Sequence, residues 1–483
     1  MSEGHFRLFR ICSKTVKIQH IKTGFAIKNF VEELEWRGMI HSIMPGTQEQ
    51  LHGSVVEHLL AKEGVAGSIP VSRSCFKKSV ECWLLFCFNT GNVPKDVIAW
   101  KFGGCPHNRE EGHMANIEDY LLWRGDLTFE QDEFNLVDNL ILAELAYVDF
   151  KDIIPAAGSG EKITLKQACH DFFELHDEEE LKLVKSFIWY APFFMKKMAH
   201  TKRFADMLLG NYALHNNEEK QVQFGAFTAE PGDGSIYVSF MGTDDSLIGW
   251  KEDFNMSFIR PIPSQLEAAE YVNETIKYSR RKIRLGGHSK GGNLAIYAAV
   301  KAKPSLKRRI IAVYNNDGPG FDREMIESEE YRQMLPKIKT IVPEHSVVGM
   351  LLEHEEKYMI VKSSQTGIMQ HDAMSWQVCG NRFETVKSVD RTSRMLNEAL
   401  SNWINGLSRT QRSEFVETLF AIITSSGAVN LSDLSADRFN FAGSALKMYS
   451  SLDRETKIML RRMLKSLTGE FDKARKMINN KSK

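Results

Sequence analysis

Residues 282–299 read KIRLGGHSKGGNLAIYAA. A short alternating run, with Ile283 and Leu285 on one face, leads into Gly287-His288-Ser289-Lys290-Gly291, after which Gly292, Ala295 and Ala298 recur at helical spacing. This is the pattern of a strand, a tight turn and a helix whose small residues lie close against a sheet. A serine held in a strained turn between strand and helix tolerates no bulky neighbour, hence glycine at 287 and 291. The turn exposes the Ser289 hydroxyl and aims the first amides of the helix at the same point, where an oxyanion would be stabilised. Ser289 is therefore the candidate nucleophile.

Outward from this stretch, short apolar runs at 222–228, 236–240, 310–314, 338–342 and 358–361 read as strands, with helices predicted at 264–279 and 292–301. Strands alternating with helices predict an α/β fold with a mostly parallel sheet flanked by helices, its site at the carboxyl ends of the strands. An amphipathic helix at 134–150 opens the domain, with Val137, Leu140, Ile141, Leu145 and Val148 on its buried face. Residues 162–216 read as mostly helical, clearest at 163–175 and 181–190, and are expected to cover the site or to pack on the core. From residue 388 the chain reads as helices at 396–407, 410–425, 436–450 and 454–477. The expected divisions are therefore an α/β domain at 114–390 and a helical C-terminal segment at 391–483, free to pack on the core, bind a partner protein or join protomers.

A serine hydroxyl needs a general base, and in this strand–turn–helix context the chain order is serine, acid, histidine. His371 follows the last strand in GIMQHDAMSW and is the candidate base. His288 is excluded because it adjoins the nucleophile and is expected to point elsewhere, His345 is a competitor, and His354 sits in a charged run that reads as surface. Two strand ends offer an acid: Asp317 in NNDGPGF is favoured, and Glu344 in VPEHSVVG is the alternative. An oxyanion hole would use the amide of Lys290 and one from the glycine-containing turn near Thr243 and Asp244. Trp250 and Asp253 beyond that turn are expected to be structural.

These residues carry a resemblance. YVSFMGTDDSLIGWKED (237–253) is similar to the oxyanion-loop motif of class 3 lipases, and GGHSKGGNLA resembles their elbow. From Met114 to about Cys379 the chain looks most like the Mbeg-like bacterial proteins, a branch of unknown function in the α/β-hydrolase superfamily; Phe134-Asn135, Tyr147 to Phe150, Asn316 to Phe321 and Ser346 to Gly349 match that branch. The resemblance implies an α/β-hydrolase fold and the serine. Met241 stands where the lipases usually have Arg, and Glu344-His345-Ser346 lacks the Asp of their acid strand, so Asp317 rests on its strand-end position.

The chain has 483 residues, 43% hydrophobic, with 29 Phe and 8 Trp, which is ample for a buried core. Lys+Arg and Asp+Glu are both 62, so there is no general electrostatic footprint for nucleic acid. Five of the seven cysteines precede residue 114 and only Cys169 and Cys379 follow it; without finger or C-x-x-C spacing they read as free thiols. No apolar run is long enough to cross a bilayer and no signal-peptide pattern opens the chain, which predicts a cytoplasmic protein.

Residues 1–113 show no sustained period. Residues 29–51 resemble the first helix and turn of bacterial tyrosyl-tRNA synthetases, and 53–74 read like a translated tRNA gene, so the natural protein is expected to begin at Met114. The functional expectation is a serine hydrolase, lipase- or esterase-like, acting on a small-molecule or lipid-like ester without metal or cofactor. The alternative is a non-catalytic hydrolase fold serving as a binding or scaffold module.

Overall fold

The computed structural model describes residues 114–480, apart from residue 185 and residues 431–432 and 434–437. The motifs read in residues 1–113 lie outside the described residues. Eight strands form one sheet in which spatial order follows chain order: β1 (Ile163–Thr164), β2 (Leu208–Asn217), β3 (Val222–Glu230), β4 (Ser235–Phe240), β5 (Lys282–His288), β6 (Ile310–Asn316), β7 (Ile338–Pro343) and β8 (Tyr358–Val361). The first three pairings are antiparallel, and the four from β4 through β8 are parallel. This is the expected α/β fold.

Alternation along β4 shows how the sheet is covered. Ile236, Val238 and Phe240 join the core beneath the helices Pro263–Thr275 and Lys290–Lys301, whereas Tyr237 points to the opposite core, beneath the helices Leu136–Leu145 and Ala191–Ala199. Successive side chains of a strand point to opposite faces, so one strand feeds two cores. Leu136–Leu145 is bound to the sheet by polar contacts as well: Tyr237 Oη donates to Asn139 Oδ1 (2.8 Å) and Ser239 Oγ to the Leu142 carbonyl (2.8 Å). Its start is fixed by a capping box, Asn135 accepting from the amides of Val137 and Asp138 while Asp138 accepts from the Asn135 amide.

The sequence reading fails in one stretch. Residues 162–216 include the ten-residue strand β2, predicted as helix. The register of β2 against β3 shifts between Gly210 and Ala213, and Asn211 takes a left-handed φ of 55°. A bulge of this kind breaks the period of two by which a strand is recognised. Of the helix expected at 181–190 only 181–183 is helical, at the end of Glu178–Leu183, and the next helix is Ala191–Ala199. Among the described residues Cys169 is a free, buried thiol, as expected.

The C-terminal helices Arg391–Asn405, Arg409–Thr424, Arg438–Ser451 and Arg454–Asn480 build a third core from Trp403, Phe415, Val416, Phe420, Leu460 and Met463. Phe258 belongs to this core, and Phe420 stacks edge-on against Phe254 at 5.7 Å, which joins the segment to the helix Leu247–Asn255. No described helix is long and apolar enough to cross a membrane.

Candidate active site

β5 ends at His288 and the next helix starts at Lys290, so Ser289 alone makes the turn, with φ 55° and ψ −131°. A positive φ on a non-glycine residue is strained, and the strain is held by the Ser289 amide donating to the Asn316 carbonyl (2.9 Å) and the Gly292 amide to the Ser289 carbonyl (2.9 Å). At Gly291 a Cβ would collide with the Phe240 carbonyl and reach 3.1 Å from the Gly242 amide nitrogen, so only glycine lets the turn after β4 lie against the elbow. Lys290 is the first helical residue and its amide has no intrahelical carbonyl to bond.

The tertiary structure brings three of the candidate residues together. His371, in the short 3-10 turn Gly367–His371, places Nε2 3.0 Å from Ser289 Oγ and Nδ1 2.6 Å from Asp317 Oδ2. Asp317 follows β6 at a left-handed φ of 53° and is fully buried; its amide donates to the Ile341 carbonyl (2.8 Å), and Oδ1 accepts from Ser346 Oγ (2.5 Å). A carboxylate that accepts from Nδ1–H leaves the lone pair of Nε2 facing the serine.

Glu344, the alternative acid, is not the partner of His371; its main chain accepts from the Asp390 amide (2.8 Å) and donates to Val361 (3.0 Å). His345 lies 3.4 Å from Asp390 and accepts from the Gly367 amide (3.3 Å), away from the serine. His354, read as surface, has a side chain only 9% exposed and bonded to Glu356 (3.1 Å).

The turn after β4 carries Thr243, whose Oγ1 donates to Asp253 Oδ2 (2.6 Å). Burial, partly offset by the charge of Lys290, pushes the Asp253 carboxyl up to about 6. The Lys290 side chain turns away from the site. Its Nζ is buried against Gln223 Oε1 (2.6 Å) and Glu252 Oε2 (3.0 Å), and Glu252 Oε1 accepts from the Ser264 amide (3.0 Å). A buried ammonium needs such a cage, and this one pins the elbow helix to β3 and to the helix Leu247–Asn255.

Ser346, His288 and the cage around Lys290 were not legible as parts of the site. Ser346 is the serine of SVVG, with no pattern linking it to Asp317. His288 does point away from the Ser289 hydroxyl, as expected, but where it points was not foreseen: its Nε2 lies 2.9 Å from the His371 carbonyl and the two rings stand 4.7 Å apart. No group of three or more His, Cys, Asp and Glu side chains suited to a metal occurs among the described residues.

Residues 198–421 match the model of the Mbeg1-like family. This region resembles the Mbeg1-like family. It runs from β2 through the last strand into the C-terminal helices and contains Ser289, Asp317, His371 and the turn at Thr243. Solved structures similar to this chain include two lipase propeptide complexes of Rhizomucor miehei, each 16% identical. Their TM-scores are 0.29 and 0.27, over 40% and 38% of this chain and 71% of theirs.

Among curated proteins, the tyrosine–tRNA ligase of Cytophaga hutchinsonii is 35% identical over 98 residues, 20% of this chain and 22% of the ligase. That of Porphyromonas gingivalis strain ATCC 33277 is 49% identical over 105 residues, 22% of each. The chain spans about a fifth of the length of these relatives, and the match is N-terminal, longer than the stretch at 29–51 that carried the resemblance.

Proposed function

We propose that this protein is a serine hydrolase acting on an ester-like substrate. The observation that supports it is the continuous chain Ser289 Oγ, His371 Nε2, His371 Nδ1, Asp317 Oδ2, at 3.0 and 2.6 Å. In this reading His371 takes the Ser289 proton as Oγ attacks the acyl carbon, and returns it to the leaving alkoxide as the ester C–O bond breaks. Water, deprotonated by the same nitrogen, then releases the acid and restores the serine. Asp317 holds the imidazole in the required tautomer and stabilises its charged form. The amides of Lys290 and Thr243 receive the oxyanion, with Asp253 holding the Thr243 side chain. The Mbeg1-like match brings no substrate with it, so the class of ester follows only from assay.

A fluorophosphonate probe tests the proposal on the full chain: labelling of folded wild type and none of Ser289→Ala is the expected result. A p-nitrophenyl ester series of increasing acyl length then ranks substrates, with Ser289→Ala expected to lose about 10³- to 10⁶-fold in kcat. Absence of labelling in folded wild type would leave the scaffold alternative.

A further inference from the structure

Behind His371 lies a buried polar chain that the proposed chemistry does not use. His288 Nε2 is 2.9 Å from the main-chain carbonyl of His371, and His288 Nδ1 is 3.0 Å from the hydroxyl of Tyr147, just beyond the helix Leu136–Leu145. A carbonyl only accepts, so Nε2 of His288 carries the hydrogen and Nδ1 the lone pair, and the Tyr147 hydroxyl must donate. Burial first, then the neighbouring His371, holds the His288 pKa well below its ordinary value, so the ring is neutral and both bonds run in one direction. The same hydroxyl faces the oxyanion turn: a Cβ at Gly242 would collide with it.

We infer that Tyr147 is a positioning residue of this site, fixing the tautomer of His288 and through it the main chain that carries His371. The inference rests on the serine-hydrolase reading. His371 sits on a short turn and its side chain is 26% exposed, so its placement depends on what holds that turn. Asp317 holds the ring, the Trp376 indole donates to the Gln370 carbonyl (2.9 Å), the His345 amide donates to Gln370 Oε1 (2.7 Å), the Gly367 amide bonds to His345, and His288 meets the His371 carbonyl itself. Without the Tyr147 donor, His288 is free to take the other tautomer, which presents a lone pair to the His371 carbonyl and repels it.

The remaining groups around this chain leave it uncharged. Glu144 Oε1 stands 3.4 Å from His288 Nδ1; burial pushes its carboxyl up to about 8, and Tyr190 donates to its other oxygen. Asp372 acts on Glu144, and Asp244 and Asp253 act on Tyr147, by charge alone.

Tyr147→Phe removes the donor and keeps the ring. In the full chain its kcat, and its rate of fluorophosphonate labelling at Ser289, are expected to fall by about ten- to a hundredfold, the scale of a small misplacement of a reacting group, with KM nearly unchanged. Tyr271→Phe, which removes an equally buried hydroxyl bonded to the Asn211 carbonyl (2.6 Å) on the far face of the sheet, is expected to leave both rates at the wild-type level. His288→Gln retains an N–H for the His371 carbonyl and is expected to keep more activity than His288→Ala; this comparison stands even if Tyr147→Phe does not fold. Wild-type rates in folded Tyr147→Phe, or equal rates in the two His288 variants, overturn the inference and leave the hydrolase reading intact. A wild type that never labels overturns both.

Discussion

At the scale of the residue, the two carboxylates that the sequence offers His371 are separated by one contact. Asp317 Oδ2 lies 2.6 Å from His371 Nδ1, while Glu344 offers that histidine nothing. Asp317→Asn is expected to lower kcat by about 10⁴-fold, through the wrong imidazole tautomer, and Glu344→Gln to change it less than about threefold; ester hydrolysis by the two purified variants checks both. Glu144 gives a second expectation, in stability. Its folded pKa is raised from the ordinary 4.5 to about 8, chiefly by burial, with Asp372 adding to the rise and Tyr190 opposing it. The unfolded chain releases this proton as pH passes the ordinary value, whereas the folded chain keeps it until about 8. This contribution to stability is complete below about pH 4.5 and is lost as pH rises to about 8. Thermal melts at pH 5 and pH 8 should show a larger drop in wild type than in Glu144→Gln, whose amide still accepts from Tyr190.

At the scale of the element, the elbow helix Lys290–Lys301 is seated by absence of side chains and by one buried charge. A methyl group at Gly291 has only the Phe240 carbonyl to move, and that carbonyl belongs to the sheet. Gly291→Ala is expected to cost several kcal/mol or prevent folding, on the order of 3–5 kcal/mol by analogy with other severe core lesions, measured by denaturant melts. The glycines were readable from the sequence because their reason is local sterics. The cage of Gln223 and Glu252 around Lys290 was not, since its members are distant in the chain and no period links them. The strand β2 was hidden for a different reason: its bulge at Gly210 to Ala213 removes the alternation that identifies a strand, and pairing with β3 overrides the local pattern.

At the scale of the whole molecule, the C-terminal helices reach the elements that carry the site. The Leu247 amide donates to the Val429 carbonyl (2.8 Å), Lys251 pairs with Glu417 (2.8 Å), and Phe420 packs on Phe254, all along the helix that bears Asp253. Asn397 also donates to the carbonyl of Ser346, the residue bonded to Asp317. Phe420→Ala removes a side chain 4% exposed from this junction and is expected to destabilise by about 3–5 kcal/mol, with ester turnover falling at temperatures where the rest of the sheet remains folded. Parallel melts followed by far-ultraviolet circular dichroism and by activity would show the two transitions separate; coincident transitions would mean that the segment and sheet unfold as one unit. The division of the chain at Met114 remains a proposal, with peptides from residues 1–113 expected to be missing when the native protein is examined by mass spectrometry.

The sequence by itself determined the class of fold, the elbow and its serine, because these follow from interactions between near neighbours: periods of two and of about three and a half residues, and glycines where a side chain would collide. It also offered His371 and, of two acids at strand ends, put Asp317 before Glu344. Only the tertiary structure decided which carboxylate meets His371, how Ser346 and His288 stand behind the site, and what Lys290 is paired with. Each of these is a contact between residues far apart in the chain, and its distance depends on how the strands and loops pack, which no local pattern encodes.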